Sequence, residues 1–157
     1  MVKPKRLGHL VLRVRDLNKS ESFYTSVLGL KVTTRIPDSM VFMSVGESSH
    51  DLALVSVGPD APGPEEGRVG LYHFAWEMDS LDDLKAMYTG LKDKKIPIGG
   101  VGDHGISLGV YFFDPDGNEI EAYYELPKNE WPAQDNIFSG KFPLSISEDE
   151  TEATQPR

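Results

Sequence analysis

The feature that most constrains this chain is an internal repeat. Displacing the sequence by 64 residues lays Tyr72-His73-Phe74-Ala75-Trp76-Glu77-Met78 on Gly8-His9-Leu10-Val11-Leu12-Arg13-Val14, and carries Leu81 onto Leu17, Tyr88 onto Tyr24 and Thr89 onto Thr25. A duplicated unit has to fold the same way twice, so a periodicity present in both copies carries double weight. In each copy apolar residues first alternate (Leu10, Leu12, Val14; Phe74, Trp76, Met78), as in a strand with one buried face. The spacing then lengthens to three and four (Leu17, Ser20, Phe23, Tyr24, Val27; Leu81, Leu84, Met87, Tyr88, Leu91), the apolar stripe of a helix.

Local signals agree with this division. Asn18 with Glu21, and Ser80 with Asp83, have the spacing of a polar N-cap followed three residues on by an acid, and Gly29 stands where a left-handed C-terminal cap belongs. Short strands are predicted at Lys31–Arg35, Met40–Val45 and Leu52–Val57 after the first helix, and at Ile96–Val101, Ser107–Phe113 and Asn118–Tyr124 after the second. Gly58–Arg68, with Pro59, Pro62, Pro64, Gly63 and Gly67, breaks both periods and joins the halves. The expectation is an α+β fold of two βαβββ modules, residues 6–57 and 70–125, forming one domain over 1–125. A C-terminal extension, 126–144, holds Trp131, Ile137, Phe138 and Phe142 and is expected to pack on the body. The acidic end, 145–157, is expected to be disordered.

Composition narrows the chemistry. With 16 Lys plus Arg against 25 Asp plus Glu, a net charge of −9 and no dense basic stripe, neither nucleic acid nor an anionic membrane is an expected partner, since both require cations matched to phosphates. No apolar run is long enough to span a bilayer, and the basic start Met1–Arg6 leads into strand-like alternation instead of a leader's apolar block, so a soluble, cytoplasmic protein is expected. The absence of Cys excludes disulfides, thiolate metal sites and Cys nucleophiles. Metal chemistry is left to carboxylates and four His: His9, His50, His73 and His104.

Alternation assigns faces. If Leu10, Leu12 and Val14 meet the helix, then His9, Val11 and Arg13 face the other way, as do His73, Ala75 and Glu77 in the second copy. Pairing of the halves about a pseudo-twofold axis would bring both imidazoles into one cavity, half of a metal site; Arg13 and Glu77 share the offset and would form a buried ion pair there or bind substrate. A His on a strand is more often structural than ligating, but a matched pair reverses that expectation. A carboxylate from a later strand is the natural third ligand. In Asn118–Tyr124, Glu119, Glu121 and Tyr123 share a face, and Asp114-Pro115-Asp116-Gly117-Asn118 reads as a turn. A hairpin centred on Asp116 sets Tyr111 directly opposite Glu121.

The segments Gly8–Leu17, Phe23-Tyr24, Val27–Leu30, Ser49–Leu54, Tyr72–Ala75, Asp103–Gly105 and Tyr111–Glu121 together resemble the vicinal oxygen chelate superfamily. Within it they resemble the type I extradiol (catechol 2,3-) dioxygenases in a single-domain form. The resemblance implies an open barrel-like sheet around a metal site, with His9, His73 and Glu121 on the Fe(II) ligand positions and Mn(II) as the alternative ion. His50, His104 and Tyr111 fall on the positions that do acid–base and hydrogen-bonding work around substrate and oxygen. The implied reaction is meta cleavage of a catechol-type diol by O2, in a homo-oligomer, with a dimer expected. The same fold also carries non-redox metal enzymes (glyoxalases, epimerases, fosfomycin-type thiol transferases) and metal-free binding proteins that confer resistance, so the fold does not settle the function.

Overall fold

The computed structural model describes residues 2–133, 136–138, 141, 142 and 146, and the chain divides into two compact units, Met1–Glu65 with Pro115–Gly117, and Glu66–Asp114 with Asn118–Arg157. The first unit runs β1 (Leu10–Val14), α1 (Leu17–Leu28), β2 (Lys31–Ile36), β3 (Met40–Ser44) and β4 (Leu52–Ser56). Its sheet has the order β1-β4-β3-β2, with β1 parallel to β4 and the other neighbours antiparallel. Leu12 and Val14 of β1 are buried while Val11 and Arg13 between them are exposed. The buried face closes against Ser20 and Tyr24 of α1 with Leu30, Val41, Met43, Leu52 and Leu54. Removing each such aliphatic side chain from water contributes about 1.5–3 kcal/mol.

Helix α1 begins two residues earlier than a cap at Asn18 would allow. Asp16 is the N-cap, its carboxylate accepting from the N–H groups of Asn18 and Lys19. Asp reaches these orphan donors as well as Asn does and adds charge favourable at the helix start. Gly29 closes the helix at φ 69°, in the left-handed region, as expected. The turn after β1 is clamped by Asp116, which belongs to this unit. Its carboxylate accepts from the backbone N–H of Arg15 and pairs with Arg15 Nη1 at 3.0 Å, while Arg15 Nε donates to the Ala61 carbonyl at 2.6 Å.

The second unit repeats the plan with β5 (His73–Glu77), α2 (Leu81–Asp93), β6 (Ile98–Asp103), β7 (Ser107–Phe113) and β8 (Glu119–Glu125). The order β5-β8-β7-β6 reproduces the first sheet, β5 parallel to β8. Ser80 caps α2 by accepting from the Asp83 N–H. Leu84, Tyr88 and Leu91 of α2 are buried, as are Leu108, Val110, Phe112, Ile120 and Ala122 of β7 and β8. Strand β6 starts two residues later than the predicted Ile96. The chain leaves α2 through Lys95 at φ 55°, and Ile96 N–H bonds back to the Leu91 carbonyl, so Ile96 finishes the helix instead of starting the strand. The two sheets are separate four-stranded sheets, not a closed barrel. Arg13 and Glu77 are both exposed, which corrects the expectation that they are buried together.

Of the C-terminal extension, Lys128–Glu130 forms a single 3-10 turn, Trp131 Nε1 donates to the Leu126 carbonyl, and Phe142 is buried with its N–H on Asp103 and its ring edge-on to Tyr124. Phe138 is exposed, so the apolar residues of this segment do not all pack on the body. Of the acidic end, 145–157, all but residue 146 lies outside the described residues. Among the described residues no helix is long and apolar enough to cross a membrane.

Candidate functional site

In the second unit, β7 and β8 pair with Tyr111 directly opposite Glu121, the register expected of a hairpin centred on Asp116. The parallel β5–β8 pairing sets His73 beside Glu119, so Glu121, two residues on, lies diagonal to His73 on the same face. His73 Nε2 and Glu121 Oε2 stand 3.4 Å apart, and the Glu121 side chain is only 10% exposed. The Tyr111 hydroxyl donates to Glu121 Oε1 at 2.9 Å. His104, from the turn between β6 and β7, brings Nε2 to 2.8 Å from that hydroxyl. Because the phenol proton is committed to Glu121, hydrogen-bond accounting makes His104 Nε2 the donor to the phenol oxygen. His104, Tyr111, Glu121 and His73 thus form one connected run across three strands and a turn.

The electrostatics follow from burial. Loss of solvent, then the charge and hydrogen bond of Glu121, with smaller effects of Glu119 and Tyr72, hold the Tyr111 hydroxyl well above the usual phenol range. Tyr111 therefore keeps its proton at neutral pH and acts as a donor. The ring of His73 packs edge-on between Tyr72 and Tyr111, and its buried Nδ1 has no hydrogen-bond partner among the described residues. The orientation of the imidazole is set by those rings and by the Nε2 end at Glu121. The His104 turn is held through Asp103, whose carboxylate accepts from the N–H groups of Gly105 and Phe142.

In the first unit His9 lies immediately before β1, and its exposed ring packs on His50 with centroids 4.4 Å apart. His50 also meets the ring of Phe42 edge-on, and its Nδ1 is 3.1 Å from Ser49 Oγ. The loop that carries it is ordered by Asp51, which accepts from Ser44, Ser48 and the Val45 N–H. Desolvation opposes ionisation of Asp51, but these hydrogen bonds and the charge of Arg6 outweigh it and hold the carboxyl below its usual range.

The six expected side chains therefore fall into two groups, His73, Glu121, Tyr111 and His104 in one unit and His9 with His50 in the other. Among the described residues no three His, Asp or Glu side chains are gathered as a metal ion would hold them. The pair that the second unit assembles suits such an ion. One imidazole nitrogen and one carboxylate oxygen are donors for first-row divalent metals. Two donors about 2.1 Å from one ion and roughly at right angles stand about 3 Å apart, close to the 3.4 Å between His73 and Glu121 and longer than a good hydrogen bond.

Residues 6–122 match the model of the Glyoxalase/Bleomycin resistance protein/Dioxygenase superfamily. The chain belongs to this superfamily. It is 37% identical over 123 residues to biphenyl-2,3-diol 1,2-dioxygenase 3 of Rhodococcus globerulus, covering 74% of this chain and 61% of that protein. It is 33% identical over 126 residues to catechol-2,3-dioxygenase of Bacillus subtilis (strain 168), covering 80% of this chain and 43% of that one. Mitochondrial methylmalonyl-CoA epimerase of Mus musculus matches at 34% over 100 residues, 58% of this chain and 54% of the epimerase. The crystal structure of lactoylglutathione lyase from Agrobacterium tumefaciens superposes with a TM-score of 0.62 at 26% identity, covering 77% of this chain and 94% of the lyase. The chain thus spans about half the length of the curated relatives it matches.

Sequence reasoning singles out neither of two further sets of residues near these side chains. Asp51 and Asp103 act by holding the loops of His50 and His104. Gly102 and Gly109 lie inside strands, where glycine weakens pairing; that placement is itself a signal of something packed close to the backbone.

Proposed function

We propose that this superfamily member is a non-haem Fe(II)-dependent extradiol dioxygenase that inserts O2 into a catechol-type substrate beside its vicinal hydroxyls, giving a hydroxymuconic semialdehyde type product. The observation that carries the reading is the connected run from His104 through Tyr111 to Glu121 and His73. An enzyme that uses its metal only as a Lewis acid has no evident need for a phenol and a further imidazole tied to the carboxylate ligand. A bound diol presents an oxygen for a donor to hold, and the Tyr111 hydroxyl, backed by His104, is such a donor. The relatives named as dioxygenases support the same choice.

In this reading His9, His73 and Glu121 hold the metal, and iron(II) there would supply Lewis acidity toward the diol and electrons toward O2. Tyr111, kept protonated by burial and by Glu121, turns its hydroxyl to a diol oxygen and fixes the ring's orientation. His104, a third exposed, backs that hydroxyl and links it to solvent as a route for the proton the diol loses. His50, packed against His9, stabilises the reacting oxygen and returns a proton to it. Mn(II) would serve the same donors.

The test is anaerobic loading with Fe(II), followed by 4-substituted catechols, dihydroxyphenyl acids, L-DOPA-like amino acids and biaryl diols with O2. A yellow product with matching oxygen uptake is expected from at least one class. Neither colour nor uptake with any of them overturns the dioxygenase reading. The likeness to methylmalonyl-CoA epimerase and to lactoylglutathione lyase favours a metal-dependent, non-redox isomerase as the second reading, and turnover of an acyl thioester without oxygen uptake would establish it.

A further inference from the structure

Two glycines face each other across β6 and β7, Gly102 opposite Gly109 in the antiparallel register. Neither has the positive φ that demands glycine, so backbone conformation does not explain them. Space does. A Cβ on Gly109 would overlap Glu121 Oε1 and stand 3.1 and 3.2 Å from its Cδ and Cγ. A Cβ on Gly102 would stand 2.9 Å from Tyr111 Cε2, 3.0 Å from His104 Nε2 and 3.3 Å from the Tyr111 hydroxyl. Real Cβ contacts essentially never fall below 3.0 Å. Both missing side chains thus make room for the same polar run.

The first unit shows the alternative. Gly109 pairs with Tyr123 and Tyr111 with Glu121; in the first sheet Met40 pairs with Val55 and Phe42 with Ala53. Where the carboxylate is replaced by the methyl of Ala53, the place of Gly109 is filled by Met40. A large side chain is compatible with this strand position when no carboxylate occupies the space beside it.

We propose that Gly109 and Gly102 are positioning residues: Gly109 seats the Glu121 carboxylate toward His73, and Gly102 seats the Tyr111 ring and the His104 imidazole against it. The proposal rests on Glu121 being a metal ligand only for its effect on metal affinity, since the cradle itself is a matter of packing. Glycine to alanine on a strand with negative φ and free space is neutral or stabilising, so a loss on substitution here reports the clash.

The experiment compares wild type, Gly109→Ala, Glu121→Ala and the double variant, melting each without metal and titrating wild type and Gly109→Ala with Mn(II) alone. Gly109→Ala is expected to lower Tm by several degrees in the wild-type background and to leave it unchanged or higher in the Glu121→Ala background. Its Mn(II) affinity is expected to fall at least tenfold, the scale seen when groups that orient metal ligands are lost. If Gly109→Ala alone does not fold, recovery of folding in the double variant makes the same point. Equal loss of stability in both backgrounds, or no loss in either, overturns the cradle. If wild type binds no Mn(II) or Fe(II), the metal reading fails while the thermal cycle still decides the cradle. Gly102→Ala, with unchanged Mn(II) affinity and a shifted Tyr111 ring signal in 13C NMR, completes the assignment; an unmoved Tyr111 signal removes Gly102 from it.

Discussion

The two units are built to one plan and are chemically unlike. Leu10 pairs with Leu52 in the first sheet as Phe74 pairs with Ile120 in the second, which makes Ala53 the counterpart of Glu121 and Phe42 the counterpart of Tyr111. The first sheet offers Met40, Phe42 and Ala53 on the positions where the second offers Gly109, Tyr111 and Glu121. Its His9 and His50 stand just before β1 and in the loop ahead of β4, whereas in the second Tyr111 and Glu121 rise from strand interiors, with His73 at the start of β5 and His104 in a turn beside them. Duplication supplied the scaffold twice. At three neighbouring ladder positions the apolar face of the first sheet is matched in the second by a phenol, a carboxylate and the glycine that leaves room for it.

Converting the second unit toward the first is the harshest test of that contrast. Glu121→Ala gives it the residue of its counterpart, and the expected result is loss of bound iron and of ring cleavage together, read by metal analysis and oxygen uptake. Full iron retention would remove Glu121 from the ligand set. A smaller effect is expected in the first unit: His50→Ala should retain iron and still bind catechol, but lose ring cleavage by about 10²–10⁴-fold, the usual worth of a positioned proton donor. Unchanged turnover would exclude His50 from the chemistry. The smallest effect concerns the loop that carries His50. The Asp51 carboxyl is held below its usual range in the folded chain, so the order it confers is complete above the unfolded value of about 3.9 and is lost as the pH falls through the folded value. Protection of the Val45 amide should decline in that acid window in wild type, and Asp51→Asn should show lower protection that no longer changes across it.

Much of this was legible in the chain. The 64-residue repeat predicts both helices and most strand positions, and turn residues around Asp116 predict the Tyr111–Glu121 register that the structure has. Errors came where side chains compete for a local role. Asp16, not Asn18, caps α1 because its carboxylate accepts from the N–H groups two and three residues on, those of Asn18 and Lys19. Ile96 was spent on ending α2. The Asp114–Asn118 segment read as a turn alone, yet Asp116 also clamps Arg15, a partner about a hundred residues away that no local pattern reveals.

By itself the sequence determined the periodicities, and hence the elements, their buried faces and the hairpin register, because these depend on neighbours within a few residues. It also confined the metal chemistry to four imidazoles and the carboxylates by carrying no Cys. The tertiary structure decided which of those groups touch. It joined His104 to Tyr111 and Glu121, packed His50 against His9, and set Gly102 and Gly109 beneath the network. Alternation gives the face on which a side chain stands; its partner depends on how loops and strands far apart in the chain pack, and on the space that a missing Cβ leaves.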